Sequence, residues 1–298
     1  MLFFLNKSHF IYKTEIFATM NIILANDLKA LINQEEVVLI DARGGADALE
    51  RFNAAHIKNA LFVDLETELS KKNADPALGG RHPLPEPPVF GLLLGKLGIT
   101  PDSIVAVYDD KKGSNAASRF WWMLKAAGHS KVYVVSGGLD SMVQAGLPVT
   151  SENSDEPQPT VYPVSEWTLP LVDMDYLSEI STDSEFIVID VREHYRYIGE
   201  SEPIDLIAGH IPGAVNIPFT SNLDENGEFL SKEELAAKYA SALGTRKPEQ
   251  VVVHCGSGVT ACHTLLALAE AGLEGAALYT GSWSEWSRNN KPVAIGNN

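Results

Sequence analysis

Val251-Val252-Val253-His254-Cys255-Gly256-Ser257-Gly258-Val259-Thr260-Ala261-Cys262-His263 is the stretch that decides the reading of this chain. A β-branched run gives way directly to a cysteine, glycines follow at 256 and 258, and Thr260 opens an Ala/Leu-rich segment of helical character. The pattern is a strand, a tight loop and a helix N-terminus, with a thiol at the start of the loop. Backbone N–H groups of such a loop turn inward and the helix adds the positive end of its dipole, so negative charge is favoured at the sulfur. The same field favours a nucleophilic thiolate over a thiol. The carboxyl ends of strands are also where open α/β sheets bind their ligands.

Outward from this stretch, the chain repeats itself. Val37-Val38-Leu39-Ile40-Asp41-Ala42-Arg43 is echoed by Phe186-Ile187-Val188-Ile189-Asp190-Val191-Arg192, and Ala55-His56-Ile57 by Gly209-His210-Ile211. Ile104-Val105-Ala106-Val107-Tyr108-Asp109 is echoed by Gln250-Val251-Val252-Val253-His254-Cys255, and Ser136-Gly137-Gly138 by Thr280-Gly281-Ser282. Four motifs in the same order mean two copies of one domain. Each copy alternates short, continuous apolar runs with Ala/Leu-rich segments, which predicts an α/β fold: two tandem domains, each a mostly parallel sheet flanked by helices. The expected division is an N-terminal extension over 1–20, a first domain over 21–150, a polar, proline-bearing linker over 151–170 and a second domain over 171–298. Residues 1–20 begin apolar, but Lys7, His9, Lys13 and Glu15 break the run before a membrane span or a signal segment is complete, and Met20 precedes a natural start of the fold.

Composition bounds what the thiol can belong to. The chain has 298 residues, 45% of them hydrophobic, enough for two ordinary cores. A formal charge of −16 argues against a nucleic-acid surface, which draws on clustered Lys and Arg. No apolar stretch is long enough for a membrane span. Two cysteines make no disulfide framework, and a reducing, cytoplasmic setting fits them. No metal site is expected, since neighbours such as His254-Cys255 and Cys262-His263 point away from each other. Gly256-Ser257-Gly258 lacks the downstream glycine of a dinucleotide loop. Cys262 lies inside the helical segment and reads as a buried residue, as do Trp121-Trp122, Trp283 and Trp286. His56 and His210 hold matching places in both copies, only one of which has a thiol, so a structural role is expected for them.

Cys255-Gly256-Ser257-Gly258-Val259-Thr260-Ala261, with Asp190-Val191-Arg192, Gly209-His210-Ile211-Pro212-Gly213-Ala214 and Gly281-Ser282-Trp283-Ser284-Glu285-Trp286, resembles the tandem rhodanese-type sulfurtransferases, and among them the 3-mercaptopyruvate sulfurtransferases. The likeness runs from about Asn21 to about Pro292. It implies a catalytic second copy and a first copy without its cysteine; Asp109-Asp110-Lys111-Lys112-Gly113-Ser114 stands there. It implies that Arg192 and Arg196 bind a donor carboxylate, as guanidinium forks do. It also implies an acid and a histidine from the first copy near the thiol, for which Asp64 and His82 are the nearest matches. Glu66 competes with Asp64, and Arg81 is the other basic residue of that loop able to reach substrate.

The chemistry expected is a covalent transfer in two steps. Cys255 takes sulfane sulfur from 3-mercaptopyruvate as a persulfide and releases pyruvate. Gly256, Ser257, Gly258, Val259 and Thr260 supply an N–H cradle, and the Ser257 hydroxyl donates to the departing group. The acceptor is cyanide, a thiol or a thioredoxin-like protein, and no cofactor beyond the persulfide is needed. Thiosulfate:cyanide transfer is the alternative; the uncharged loop, lacking the basic pair suited to a small dianion, weighs against it. A phosphatase relative of the same fold would place an arginine where Ala261 stands, and a non-catalytic binding module would be expected to lose the thiol in both copies.

Overall fold

The computed structural model describes residues 20–72 and 75–297, so the extension assigned to 1–20 lies almost wholly outside the described residues. The first half contains β1 (Ile22–Ile23), α1 (Ala25–Ile32), β2 (Val37–Arg43), α2 (Ala48–Ala54), β3 (His56–Ile57), β4 (Leu61–Asp64), α3 (Pro87–Lys96), β5 (Ile104–Tyr108), α4 (Ala116–Ala126), β6 (Val132–Val135), α5 (Gly138–Gln144) and β7 (Val149–Thr150). The second contains β8 (Leu171–Val172), α6 (Met174–Ile180), β9 (Ile187–Asp190), α7 (His194–Tyr197), β10 (Val215–Asn216), α8 (Lys232–Leu243), β11 (Val251–His254), α9 (Thr260–Glu270), β12 (Ala277–Tyr279) and α10 (Ser282–Trp286). No described helix is long and apolar enough to cross a membrane.

The main sheets run β1-β6-β5-β2-β4 and β8-β12-β11-β9-β10, and every neighbouring pair is parallel. Strand for strand, the second order is the first repeated. The continuous apolar runs are strands covered on both faces: β9 and β11 are buried throughout. Each sheet has as its central strand the one that ends at the key loop, β5 before Asp109 and β11 before Cys255. His56 and His210 are buried and stack on Phe52 and Tyr197 with ring centroids 3.9 and 3.7 Å apart, each ring bonded to a backbone carbonyl.

The helices that follow the two loops, α4 and α9, pack against each other. Trp121 and Trp122 of α4 join Leu265 and Leu268 of α9 in one cluster of buried side chains that takes in residues of both sheets. Full burial of side chains of this size is worth about 2–3 kcal/mol each. The two loops are thereby held face to face.

The segment between the halves is polar at its start and packed at its end. Tyr162 and Val164 are buried, Thr160 donates its N–H to the Gly95 carbonyl at 2.9 Å, and Thr168 donates to that of Ala126 at 2.8 Å. Glycine on α3 makes this approach possible. A Cβ at Gly95 would lie 2.4 Å from the Thr160 oxygen, and one at Gly91 2.6 Å from that of Tyr162. Gly95→Ala gains about 1 kcal/mol of helix propensity but must push this backbone away, at about 1–3 kcal/mol. We expect a net loss of stability, read as a lower urea midpoint at unchanged slope.

Candidate active site

Cys255 leaves β11 almost fully buried, and its Sγ accepts the N–H of Gly258 at 3.1 Å and of Ser257 at 3.4 Å. The cradle is narrower than the five amides expected: among the described residues, the N–H groups of Gly256, Val259 and Thr260 do not bond the sulfur. Gly258 turns the chain at φ +76°, and the amides beyond it follow the start of α9. A Cβ at Gly258 would lie 2.5 Å from the Thr280 carbonyl, so this turn admits only glycine. From below, the 280–284 turn holds the loop. Trp283 N–H bonds the Cys255 carbonyl at 3.0 Å, Ser284 N–H bonds that of Gly256 at 2.9 Å, and Ser282 Oγ accepts the Cys255 N–H at 3.1 Å. Ser282 sits at φ +52°, a left-handed conformation costing about 1–2 kcal/mol for an L-residue. Its hydroxyl, which also donates to the Tyr279 carbonyl at 2.9 Å, offsets that cost directly under Cys255.

A relay from the first half reaches the loop. His82 Nδ1 lies 2.7 Å from Ser257 Oγ, and His82 Nε2 lies 3.0 Å from a Glu66 carboxylate oxygen. The hydrogen bond from His82 holds the Glu66 carboxyl below its ordinary value. Ser–His–carboxylate connectivity of this kind orients an imidazole and stabilises its charged form. Asp64, the nearer match in the sequence, is not part of it. Its carboxylate accepts the Thr67 N–H and hydroxyl at 2.8 and 3.0 Å, closing the turn after β4 and leaving the longer Glu66 to span to His82. A cavity of about 250 Å³, lined by Gly44, Glu66, His82, Asp109 and Asn115 among others, opens beside the relay.

The two expected carboxylate-binding arginines are already committed. Arg192 is 1% exposed; it bonds Asp190 through Nε at 3.0 Å and Nη2 at 2.5 Å, the Gly209 carbonyl at 2.7 Å and Glu202 at 3.2 Å, and lies 4.5 Å from the Trp283 ring centroid. Burial works against the Asp190 charge, but Arg192, with His254 beside it, outweighs that and holds the carboxyl below its ordinary value. Arg196 bonds Glu202 through Nε and Nη2 and Glu193 through Nη1. Burial disfavours its charge, and these acids more than restore it. Directly over Gly256 stand Arg81, Arg196 and Asp205, their nearest atoms 3.0, 3.4 and 3.7 Å from where a Cβ would be.

A family model described as "Rhodanese-like domain" matches the chain twice, over residues 24–145 and 173–289. The chain belongs to the rhodanese-like domain family. A probable 3-mercaptopyruvate sulfurtransferase of Pseudomonas aeruginosa is 38% identical over 281 residues, covering 92% of this chain and 98% of that protein. The thiosulfate sulfurtransferase of Rattus norvegicus is 36% identical over 253 residues, 84% of this chain and 83% of its own. The structure of 3-mercaptopyruvate sulfurtransferase from Leishmania major superposes with a TM-score of 0.78 at 30% identity, covering 90% of this chain and 74% of that one.

Within the first rhodanese-like unit, the position of the thiol is filled by Asp109, whose buried carboxylate accepts the N–H groups of Lys111, Gly113, Asn115 and Ala117 at 2.7–3.2 Å. That loop is closed by its own side chain. Its neighbour Arg119 was masked in the sequence by the aromatic run Phe120-Trp121-Trp122. The guanidinium is fully buried and bonds the carbonyls of Gly258 at 3.0 Å, His82 at 2.9 Å and Leu69 at 3.4 Å. Cys262 points its thiol at the same Gly258 carbonyl at 3.3 Å, and burial pushes it up to about 12. Asp205 and Arg288 also escaped the sequence reading, since no motif marks either.

Arg192 repeats Arg43 of the first unit, which bonds Asp41 and the Ala55 carbonyl where no thiol exists. The shared geometry assigns Arg192 to the fold. Arg192→Met strands a buried Asp190 and should destabilise the protein by about 3–5 kcal/mol, measured by chemical denaturation. A stable variant with only a raised KM would return Arg192 to the substrate.

Proposed function

We propose that the chain is a sulfurtransferase that takes sulfur from 3-mercaptopyruvate onto Cys255 and passes it to a thiophilic acceptor. The observation that carries the donor choice is the Glu66–His82–Ser257 relay beside the thiol. The Cys255 thiolate attacks the donor sulfur; an S–S bond forms, the donor C–S bond breaks, and its electron pair passes into the enolate of pyruvate. That enolate needs a hydrogen-bond donor at oxygen and then a proton at carbon, balanced by the donor's S–H proton, which the persulfide gives up. A hydrogen on His82 Nδ1 donated to Ser257 Oγ leaves the serine hydrogen free to point at the donor's ketone oxygen. Glu66, 3.0 Å from Nε2, orients the ring.

The persulfide is the covalent intermediate, and the scheme calls on no metal or organic cofactor. In the second step cyanide, a small thiol or a thioredoxin-like protein attacks the outer sulfur, and the Cys255 thiolate leaves. Both cysteines are free thiols, which suits a reducing, cytoplasmic setting. Thiosulfate is the second reading, favoured by the arginines over Gly256, which supply cationic groups the loop itself lacks. Its leaving group, sulfite, departs as a stable anion and needs no proton.

The two donors therefore test the relay separately. With cyanide as acceptor, kcat/KM should favour 3-mercaptopyruvate by about tenfold or more, and Cys255→Ser should form no persulfide by mass spectrometry. His82→Ala should cost about 100-fold with 3-mercaptopyruvate while thiosulfate turnover stays within about threefold. Equal losses with both donors would remove the relay from C–S cleavage, and turnover by Cys255→Ser would overturn the proposal.

A further inference from the structure

Asp205 is a carboxylate with a side chain of 0% exposure, met by three guanidiniums. Arg288 Nη1 lies 2.9 Å from Oδ1, Arg81 Nε 3.2 Å from Oδ1 and its Nη2 3.4 Å from Oδ2, and Arg196 Nη2 3.6 Å from Oδ2. Arg196 is shared with Glu202 and Glu193. Arg81 and Arg288 are different: among the described residues neither has a second carboxylate at ion-pair distance. Arg81 keeps a 25% exposed side chain on the Cys255 loop.

This arrangement is built rather than incidental. Glu202 accepts the N–H groups of Ile204 and Asp205 at 3.0 and 3.1 Å and so sets the turn that buries Asp205. Arg81 N–H bonds Ser284 Oγ at 3.0 Å and Gly79 N–H bonds Glu285 at 2.7 Å, so its backbone is pinned to the turn that supports Cys255. Gly80 packs so closely that a Cβ there would lie 2.4 Å from the Gly281 carbonyl. Arg81 is thus held over Gly256, the residue next to Cys255, and its bonds to Asp205 are long for a charge-assisted pair.

We infer that Arg81, backed by Arg288, is an anion subsite for the acidic end of a small carboxylate bound at Cys255, and that Asp205 is its internal counter-charge, tuning the subsite to singly charged anions over dianions. This rests on the reading of Cys255 as the nucleophile, and it makes Asp205 a specificity residue. Removing the buried negative charge would leave the arginines free to hold an incoming anion more tightly, most of all a dianion.

Alkylation of Cys255 tests the subsite without any sulfur donor. Iodoacetate and iodoacetamide react alike, the thiolate displacing iodide to form an S–C bond, and differ by one carboxylate. The ratio of their rates at Cys255, located by peptide mass, reads the local charge. Arg81→Met should lower the iodoacetate/iodoacetamide ratio about fivefold or more, Asp205→Asn should raise it by a similar factor, and 1 M salt should shrink the Arg81 effect. Asp205→Asn should also raise the thiosulfate/3-mercaptopyruvate ratio of kcat/KM. Arg81 is partly exposed, so its variant should fold even if a changed Asp205 does not; a ratio within twofold of the unaltered chain for Arg81→Met overturns the subsite. A chain that shows these shifts but transfers no sulfur from either donor would sink the sulfurtransferase reading and leave the subsite standing.

Discussion

One guanidinium joins the parts that the chemistry needs together. Arg119 belongs to α4 of the first unit, yet it binds the carbonyl of Gly258, whose N–H holds the Cys255 sulfur, and the carbonyl of His82, whose ring meets Ser257. Burial pulls it down from its usual value, against the attraction of the Cys262 and Cys255 sulfurs. An arginine does not lose its proton in a protein, so a buried positive charge sits behind the loop with carbonyl dipoles and thiols around it. The α4 to α9 packing lies beside this tie and buries Arg119 fully.

The two units show what one backbone does with two anions. In the first, Asp109 draws four N–H groups onto its own carboxylate and closes the loop. In the second, Cys255, with a shorter reach, accepts the N–H groups of Ser257 and Gly258, two among the described residues. A carboxylate saturates the cradle, whereas a sulfur engages it without filling it. The first unit, which has no thiol at this position, brings His82 to Ser257, Arg81 over Gly256 and Arg119 to the Gly258 carbonyl.

Most of the fold was legible because repetition and burial leave periodic traces. The β-branched runs, the paired Asp-x-Arg and Gly/Ala-His-Ile motifs and the glycine-bearing loop name both sheets and the loop that carries the thiol. The contacts between units leave no such trace. Arg119 is hidden in an aromatic run, Asp205 follows a Glu202-Pro203-Ile204 turn with no motif, and Arg288 lies beyond α10. The differences from expectation at Asp64 and Arg192 have the same root. Asp64 and Glu66 differ in which carboxylate a turn consumes, and Arg192 differs from a ligand only in that Asp190, Glu202 and the Gly209 carbonyl take up its donors. Both facts are set by three-dimensional neighbours.

The uncharged Gly256-Ser257 pair now has a physical reading. A basic loop would hold its charges within one covalent segment and present them to any small anion. Here the cations come from separate segments: Arg81 and Arg196 meet over Gly256, where the absence of a side chain leaves them room, and Arg288 joins them on Asp205. A carboxylate of the same chain neutralises part of their field. Charge above the loop is therefore set by geometry between units, and on the proposed reading donors are told apart by two groups acting together: a counter-charged arginine for the anionic end and a serine–histidine relay for the ketone. A donor with both features engages both groups, while a dianion with neither carboxylate nor ketone engages only the arginines, against the opposition of Asp205.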